Sequence, residues 1–169
     1  MKVKIKRIFT KQRVIKIIKV LIVGAIIFIV LAIPKVIKAD INDNAIEEYL
    51  RNTVLEYANS HQGIPYKWGG DVEDMMELGG LDCSGFVQKV YLELFGVDIG
   101  RTTWDQINYG KVISYNELKI GDLVFTNNCK HVGIYVGDGN MINAVDEGDC
   151  IRITKIINFF RAKRIIYKN

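Results

Sequence analysis

Residues 79–91 read Gly79-Gly80-Leu81-Asp82-Cys83-Ser84-Gly85-Phe86-Val87-Gln88-Lys89-Val90-Tyr91. This is a glycine-rich loop running into a helix. Phe86, Val87, Val90, Tyr91 and Leu94 recur at helical spacing and give the helix one apolar side. Asp82 is a natural N-cap, and Gly96 a natural stop. Cys83 then falls in the first turn, where unpaired N–H groups and the positive end of the helix dipole favour a thiolate. The expectation is a nucleophilic thiol of lowered pKa. The competing reading is a small buried cysteine beside a cap.

Upstream, Asn44 and Glu47 have capping-box spacing, and Ile46, Leu50, Val54, Tyr57 and Ala58 predict a helix to about Ser60. His61-Gln62-Gly63 breaks it. The stretch from Gly63 to Gly70 is a stiff loop carrying Tyr66 and Trp68, and residues 71–80 form a polar loop leading to Asp82. Downstream, Thr103 is placed to cap a short helix through Gln106 to Tyr109. From Gly110 the pattern turns to strands: Leu123 to Thr126, His131 to Val136, Met141 to Val145, Ile151 to Thr154 and Ala162 to Tyr167. Helices followed by an antiparallel set of strands make an α+β order.

The composition shifts near residue 40. Residues 1–39 carry ten Lys or Arg and no acid, whereas residues 40–169 carry thirteen Lys or Arg against nineteen Asp or Glu. The acidic folded part has no cluster of basic and aromatic side chains, so nothing in it points to nucleic acid. Val20 to Ile33 is a run of fourteen residues without charge, stopped by Pro34 and preceded by eight Lys or Arg. Counting back to Val14, with Lys16 and Lys19 snorkelling, residues 14–33 suit a membrane anchor; the shorter run suits a cleaved signal. Either way the positive-inside rule sends residues 40–169 out of the cytoplasm. The expected division is a basic segment and signal or anchor over 1–39, and one folded domain over 40–169.

A nucleophilic cysteine needs a base, and the base needs an orienter. Of the two histidines, His61 ends a helix and reads as a solvated cap, while His131 opens a strand, a rigid place for a base. With a three-residue turn Gly137-Asp138-Gly139, Val136 faces Asn140. Val132, Ile134, Val136, Ile142 and Ala144 then share one apolar face, and Asn143 lies near His131 on the other. A two-residue turn would put Asn143 beside Ile134. The odd turn therefore predicts that Asn143 accepts the Nδ1–H of His131 and aims the other ring nitrogen at Cys83.

Four stretches in order resemble the NlpC-type bacterial cell-wall peptidases: Pro65-Tyr66-x-Trp68-Gly69-Gly70, Asp82-Cys83-Ser84-Gly85-Phe86-Val87, Gly121-Asp122-Leu123-Val124-Phe125, and His131-Val132-Gly133-Ile134-Tyr135-Val136-Gly137. The resemblance covers roughly residues 44–167. It implies a circularly permuted papain-like fold, with a cysteine helix packed on an antiparallel sheet that carries the histidine. It implies cleavage of peptidoglycan stem peptides between γ-D-Glu and the diamino acid, without metal or cofactor. Cys83 would be the nucleophile, His131 the base and Asn143 the third residue, a position more often histidine in that family. Tyr66 would help the Cys83 N–H bind the oxyanion, and Asp82 and Ser84 would touch substrate or support the site. Arg101, Thr103 and Gln106 match the segment after the helix, where a structural role is at least as good a reading.

The same fold could instead serve an N-acetylmuramoyl-L-alanine amidase or a cross-bridge peptidase. A non-catalytic wall-binding scaffold of a conjugation or phage apparatus would have lost Cys83 or His131, and both are present. Finally, the hairpin register puts position 129 opposite 147, near Cys150, so an exported domain could join Cys129 to Cys150 in a disulfide.

Overall fold

In the computed structural model, which describes residues 43–71 and 79–165, the cysteine helix is where the sequence puts it. Helix α2 (Cys83–Phe95) is capped by Asp82, whose carboxylate accepts the Gly85 N–H at 2.7 Å. Gly96 closes it at φ 65°, a left-handed conformation that glycine adopts without strain. Phe86, Val87, Val90 and Tyr91 are fully buried. Removing each of the three hydrocarbon side chains among them from water contributes about 1.5–3 kcal/mol. Tyr91 also donates its hydroxyl to the Gly121 carbonyl, so the burial leaves no orphan polar group.

The helix lies on a six-stranded antiparallel sheet. Its strands are β1 (Lys111–Ile113), β2 (Leu123–Thr126), β3 (His131–Gly137), β4 (Asn140–Ala144), β5 (Ile151–Lys155) and β6 (Phe159–Arg164), in spatial order β1-β6-β2-β3-β4-β5. Leu123, Phe125, Val132, Ile134, Ile142 and Ala144 form the core against α2, all of them 0% exposed. Strand β1 was not expected: three residues, two of them exposed, carry too little period-two signal to be seen. Strand β6 starts at Phe159, earlier than the predicted Ala162, because Phe159 pairs with Thr126 across a bulge and packs edge-on against Tyr115; the predicted end at Tyr167 lies outside the described residues.

Helix α1 (Asp43–Asn59) packs Val54 and Ala58 into the core. Asn44 lies inside this helix rather than capping it, and Glu47 turns instead to Arg51 and Lys119. Arg51 reaches across to the Ile120 carbonyl at 2.6 Å and to Asp122 at 3.4 Å. The buried Asp122 carboxylate also takes Arg164 through two bonds of 2.8 and 2.6 Å, so one charge ties α1, β2 and β6 together. Helix α3 (Thr103–Gln106) begins at Thr103 itself, the residue expected to cap it; the cap is Thr102, one residue earlier, which forms the capping box with Asp105.

The β3–β4 hairpin keeps the predicted register in its body, with Ile134 opposite Ile142 and Tyr135 opposite Met141. The turn differs. It is the two residues Asp138 and Gly139, and a bulge between Tyr135 and Gly137 supplies the odd residue. The apolar parity needed one extra residue, and it sits in the strand instead of the turn.

The three cysteines are free. The Cys129 Sγ donates to the Thr103 carbonyl at 3.4 Å, and Cys150 pairs through its backbone with Pro65. Asn127, Asn128 and Cys129 have φ of 51°, 56° and 68°, and this left-handed turn sends the chain toward Asn158. Position 129 therefore leaves the hairpin before it can extend toward position 147. Thiol titration of the denatured, unreduced protein should find three thiols.

The start of α2 sits directly on backbone. A Cβ added to Gly85 would overlap the Gly70 carbonyl, and one on Gly80 would overlap that of Pro65. Gly85→Ala should therefore lower the urea unfolding midpoint, by a free energy of about 1–3 kcal/mol typical of overpacking. An unchanged midpoint would mean that the loop gives way freely.

Candidate active site

The loop from Gly63 to Lys67 stitches the cysteine helix to the sheet edge. On one side, Gly63 and Tyr66 donate to Ile151 and Asp149, and Ile151 donates back to Ile64, at 2.8–2.9 Å. On the other, Leu81 donates to Pro65 and Lys67 donates to Leu81. This pairing fixes the direction of Tyr66, which is 8% exposed and lies close to Cys83.

Asp82 gathers the other half of the site. Besides the Gly85 N–H, it accepts the Gly69 N–H at 3.1 Å, the Ser84 hydroxyl at 3.1 Å and a two-pronged grip from Arg101 at 3.0 and 2.6 Å. Arg101 also bonds Asp71 and Ser84, and the fully buried Gln106 donates to the Ser84 carbonyl at 2.8 Å. Asp82 and Ser84 thus spend their polar atoms on the support of α2. The segment after the helix, Arg101 to Gln106, wraps that support from outside.

Cys83, Tyr66, His131 and Asn143 line one cleft of about 740 Å³. His131 opens β3, and Val132, the next residue, turns its N–H to the Cys83 sulfur. The His131 ring bonds Asn143 through Nε2, with Nε2 to Oδ1 at 2.8 Å. This corrects the expectation that Nδ1 would face Asn143. The two side chains share a sheet face as the apolar parity requires, but Asn143 stands beside Gly133 rather than His131. A Cβ on Gly133 would lie 3.0 Å from the Asn143 Cβ. From there the short amide meets Nε2 of the ring, and Nδ1 is not used by Asn143.

His61 does not line this cleft. It is buried against Tyr57 and Phe86, and its Nδ1 donates to the Tyr57 carbonyl at 2.8 Å at the end of α1. The predicted solvated cap is a packed one.

The profile of the NlpC/P60 family matches residues 63–167. The chain belongs to the NlpC/P60 family. Among curated relatives, it is 34% identical over 98 residues to the murein DD-endopeptidase MepS/murein LD-carboxypeptidase of Escherichia coli K12, covering 56% of this chain and 50% of that protein. It is 40% identical over 102 residues to the bifunctional muramidase/DL-endopeptidase CwlT of Bacillus subtilis, covering 57% and 30%. The chain therefore spans half or less of the length of these two relatives. The NlpC/p60 domain of the peptidoglycan hydrolase SagA superimposes with a TM-score of 0.61 at 33% identity, over 68% of this chain and 97% of that one. RipB of Mycobacterium tuberculosis does so with a TM-score of 0.65 at 28% identity, over 80% and 73%. These neighbours share the α+β architecture of helices on an antiparallel sheet.

The electrostatics of this NlpC/P60 site differ from the first expectation. Burial, followed by the Asp82 charge, pushes the Cys83 thiol from 9.0 up to about 11, while the N–H groups of Val132, Ser84 and Cys83 pull the other way. A helix terminus is worth about 0.3–1 kcal/mol, and the net rise corresponds to roughly 3 kcal/mol, so desolvation wins. Burial also lowers the His131 pKa below its ordinary 6.5, opposed by the Asn143 bond and Asp146. Both shifts favour a neutral thiol beside a neutral imidazole over an ion pair. Tyr66 is pushed up to about 12, by burial first and the neighbouring Cys83 second, so its hydroxyl keeps its proton and can donate.

Sequence reading missed Gly133, whose missing side chain makes room for Asn143, and Thr154, which bonds the Asn143 amide at 2.8 Å. Gly133 stood in plain view inside a strand pattern, where a glycine signals close approach. Thr154 gave no signal, because the six residues 145–150 between β4 and β5 hide their register.

The raised thiol pKa predicts a pH profile. The rate of Cys83 alkylation by iodoacetamide, followed by peptide mass spectrometry, should keep climbing above pH 9 as the thiolate fraction grows. A plateau reached by pH 6 would indicate a stable thiolate–imidazolium pair and contradict the burial argument.

Proposed function

We propose that residues 40–169 act outside the cytoplasm as a thiol endopeptidase on peptidoglycan stem peptides, cutting between γ-D-Glu and the diamino acid. The observation that carries this reading is the meeting of Cys83, Tyr66 and the Asn143-bound His131 in one open cleft. The family and the endopeptidase names of its relatives supply the substrate class. The γ-D-Glu bond joins a D residue to an L centre, the type named for CwlT. The exposed Lys130 and Lys155 also line the cleft, where the free carboxylates of a stem peptide would meet opposite charge.

The chemistry follows from the placement of protons. His131 Nδ1 takes the Cys83 proton as the sulfur attacks the amide carbon. The oxyanion is held by the Cys83 N–H at the helix start and by the Tyr66 hydroxyl. Nδ1–H then protonates the leaving amine, the C–N bond breaks, and a thioester remains. His131 next removes a proton from water, which attacks the thioester; the C–S bond breaks and the thiol regains its proton. Asn143 keeps the ring aimed throughout. Asp82 and Ser84 act by holding the nucleophile's helix start.

Residues 14–33 tether the domain to the membrane from the cytoplasmic side, or are removed as a signal on export. That segment lies outside the described residues, and among the described residues no helix is long and apolar enough to cross a membrane.

Digestion of purified muropeptides, with products read by mass spectrometry, tests the activity and the bond together. Cys83→Ala and His131→Ala should each lower turnover by about three orders of magnitude or more. Asn143→Ala should cost less, since a poorly aimed imidazole still accepts a proton. His61→Ala should spare turnover while lowering stability. Near-normal turnover by Cys83→Ala would end the thiol mechanism, and fragments cut at muramoyl–L-Ala or at the cross-bridge would move the bond.

A further inference from the structure

The sheet register gives the cleft a direction. Met141 and Asn143 on β4, and Val145 just beyond it, are alternate residues that all line the cleft, as do Arg152 and Thr154 opposite them on β5. The cleft therefore runs along the β4–β5 pair. One end lies at the connection after β4, where Tyr66 donates its N–H to the Asp149 carbonyl and Asp146 lines the wall. The other end lies at Lys155, the last residue of β5, opposite Asn140. From Ile151 to Lys155 the strand covers about 13 Å at roughly 3.3 Å per residue.

The two ends carry opposite charge. Asp146 is exposed, and its field reaches both Tyr66 and His131. Arg152, between the ends, is held by Asp149 at 2.7–3.1 Å. Lys155 is exposed and lines the cleft, and among the described residues its side chain has neither a hydrogen bond nor an ion pair. Hydrocarbon lies beside it: Met141 lines the same end, and so does Ile157, an isoleucine 68% exposed. The other unpaired cation of the cleft, Lys130, precedes β3 and stands off this line. A peptide laid along β4 thus meets a carboxylate at one end and an ammonium group at the other. A free carboxylate on it is repelled from Asp146 and drawn to Lys155.

We infer that Lys155 is a specificity-determining residue that takes the C-terminal carboxylate of a short segment beyond the cut, so that the cleft favours stem peptides with a free end over those whose end is amidated or joined in a cross-link. The inference rests on the reading of the cleft as the stem-peptide site. Lys155 stands opposite Asn140, about 10 Å along β4 from Asn143. Two extended residues cover about 7 Å, and the lysine side chain spans the rest. The favoured departing segment is therefore the diamino acid and one further residue.

The probes are two tetrapeptides, L-Ala-γ-D-Glu-diamino acid-D-Ala, ending in a carboxylate or in a carboxamide, each made with lysine and with diaminopimelate. Affinity is read by calorimetry on full-length Cys83→Ala protein, and kcat/KM on the wild type. The carboxylate form should bind about two- to fivefold more tightly than the carboxamide, the range of an exposed ion pair. Lys155→Gln should erase that ratio and Lys155→Arg should keep it. Lys130→Gln should leave the ratio in place, and about 0.5 M salt should bring it close to one. Equal affinity for the two forms would overturn the inference, and so would a preference that survives Lys155→Gln. Binding of neither form would overturn it together with the stem-peptide reading. A Lys155-dependent preference in a protein that hydrolyses neither peptide would uphold it and overturn the reaction instead.

Discussion

Nearly everything at the reactive end of this molecule depends on the carboxylate of Asp82. It accepts backbone N–H groups from Gly69 and Gly85, a hydroxyl from Ser84 and the fork of Arg101. Together these bonds join three pieces of chain: the aromatic loop, the first turn of α2 and the segment that follows the helix. Charge-assisted bonds of this kind are about twice as strong as neutral ones. The negative charge is neutralised by Arg101, which lets Asp82 sit near a thiol whose ionisation it opposes. The cap that starts the helix is thus also the anchor of the loop carrying Tyr66 and Trp68.

Burial sets the chemical character of the site. A first-turn cysteine suggests a ready thiolate, but Cys83 is largely buried, and a charge there is poorly solvated. The cost of desolvation exceeds what three N–H groups and a helix end return. The same burial disfavours the charged imidazole of His131, so thiol and imidazole are both pressed toward their neutral forms. Tyr66, too, is held protonated.

The sheet contributes geometry more than contact energy. The bulge between Tyr135 and Gly137 keeps the apolar residues of β3 and β4 on the side of α2, and so keeps His131 and Asn143 together on the other. Gly133 leaves the space that the Asn143 amide fills. Pairing of the Gly63–Lys67 loop with both β5 and Leu81 then holds the two halves of the cleft in register.

The sequence alone determined the elements whose signals are local. Helix α2 was legible from Asp82, the apolar spacing and Gly96; the hairpin parity was legible from Val132, Ile134, Ile142 and Ala144; and the four motifs named the fold and the pair Cys83 and His131. Period and capping need only a few consecutive residues, which is why they survive in one dimension. Tertiary structure alone decided the rest. Which ring nitrogen faces Asn143 depends on a stagger of the two side chains across the ladder. The sign of the Cys83 shift depends on how much chain covers the sulfur. The separation of Cys129 from Cys150 depends on a left-handed turn at Asn127 to Cys129, and the contact of Thr154 with Asn143 depends on a register set beyond a six-residue loop. Each is a relation between residues distant in sequence, fixed by packing, and no local pattern encodes it.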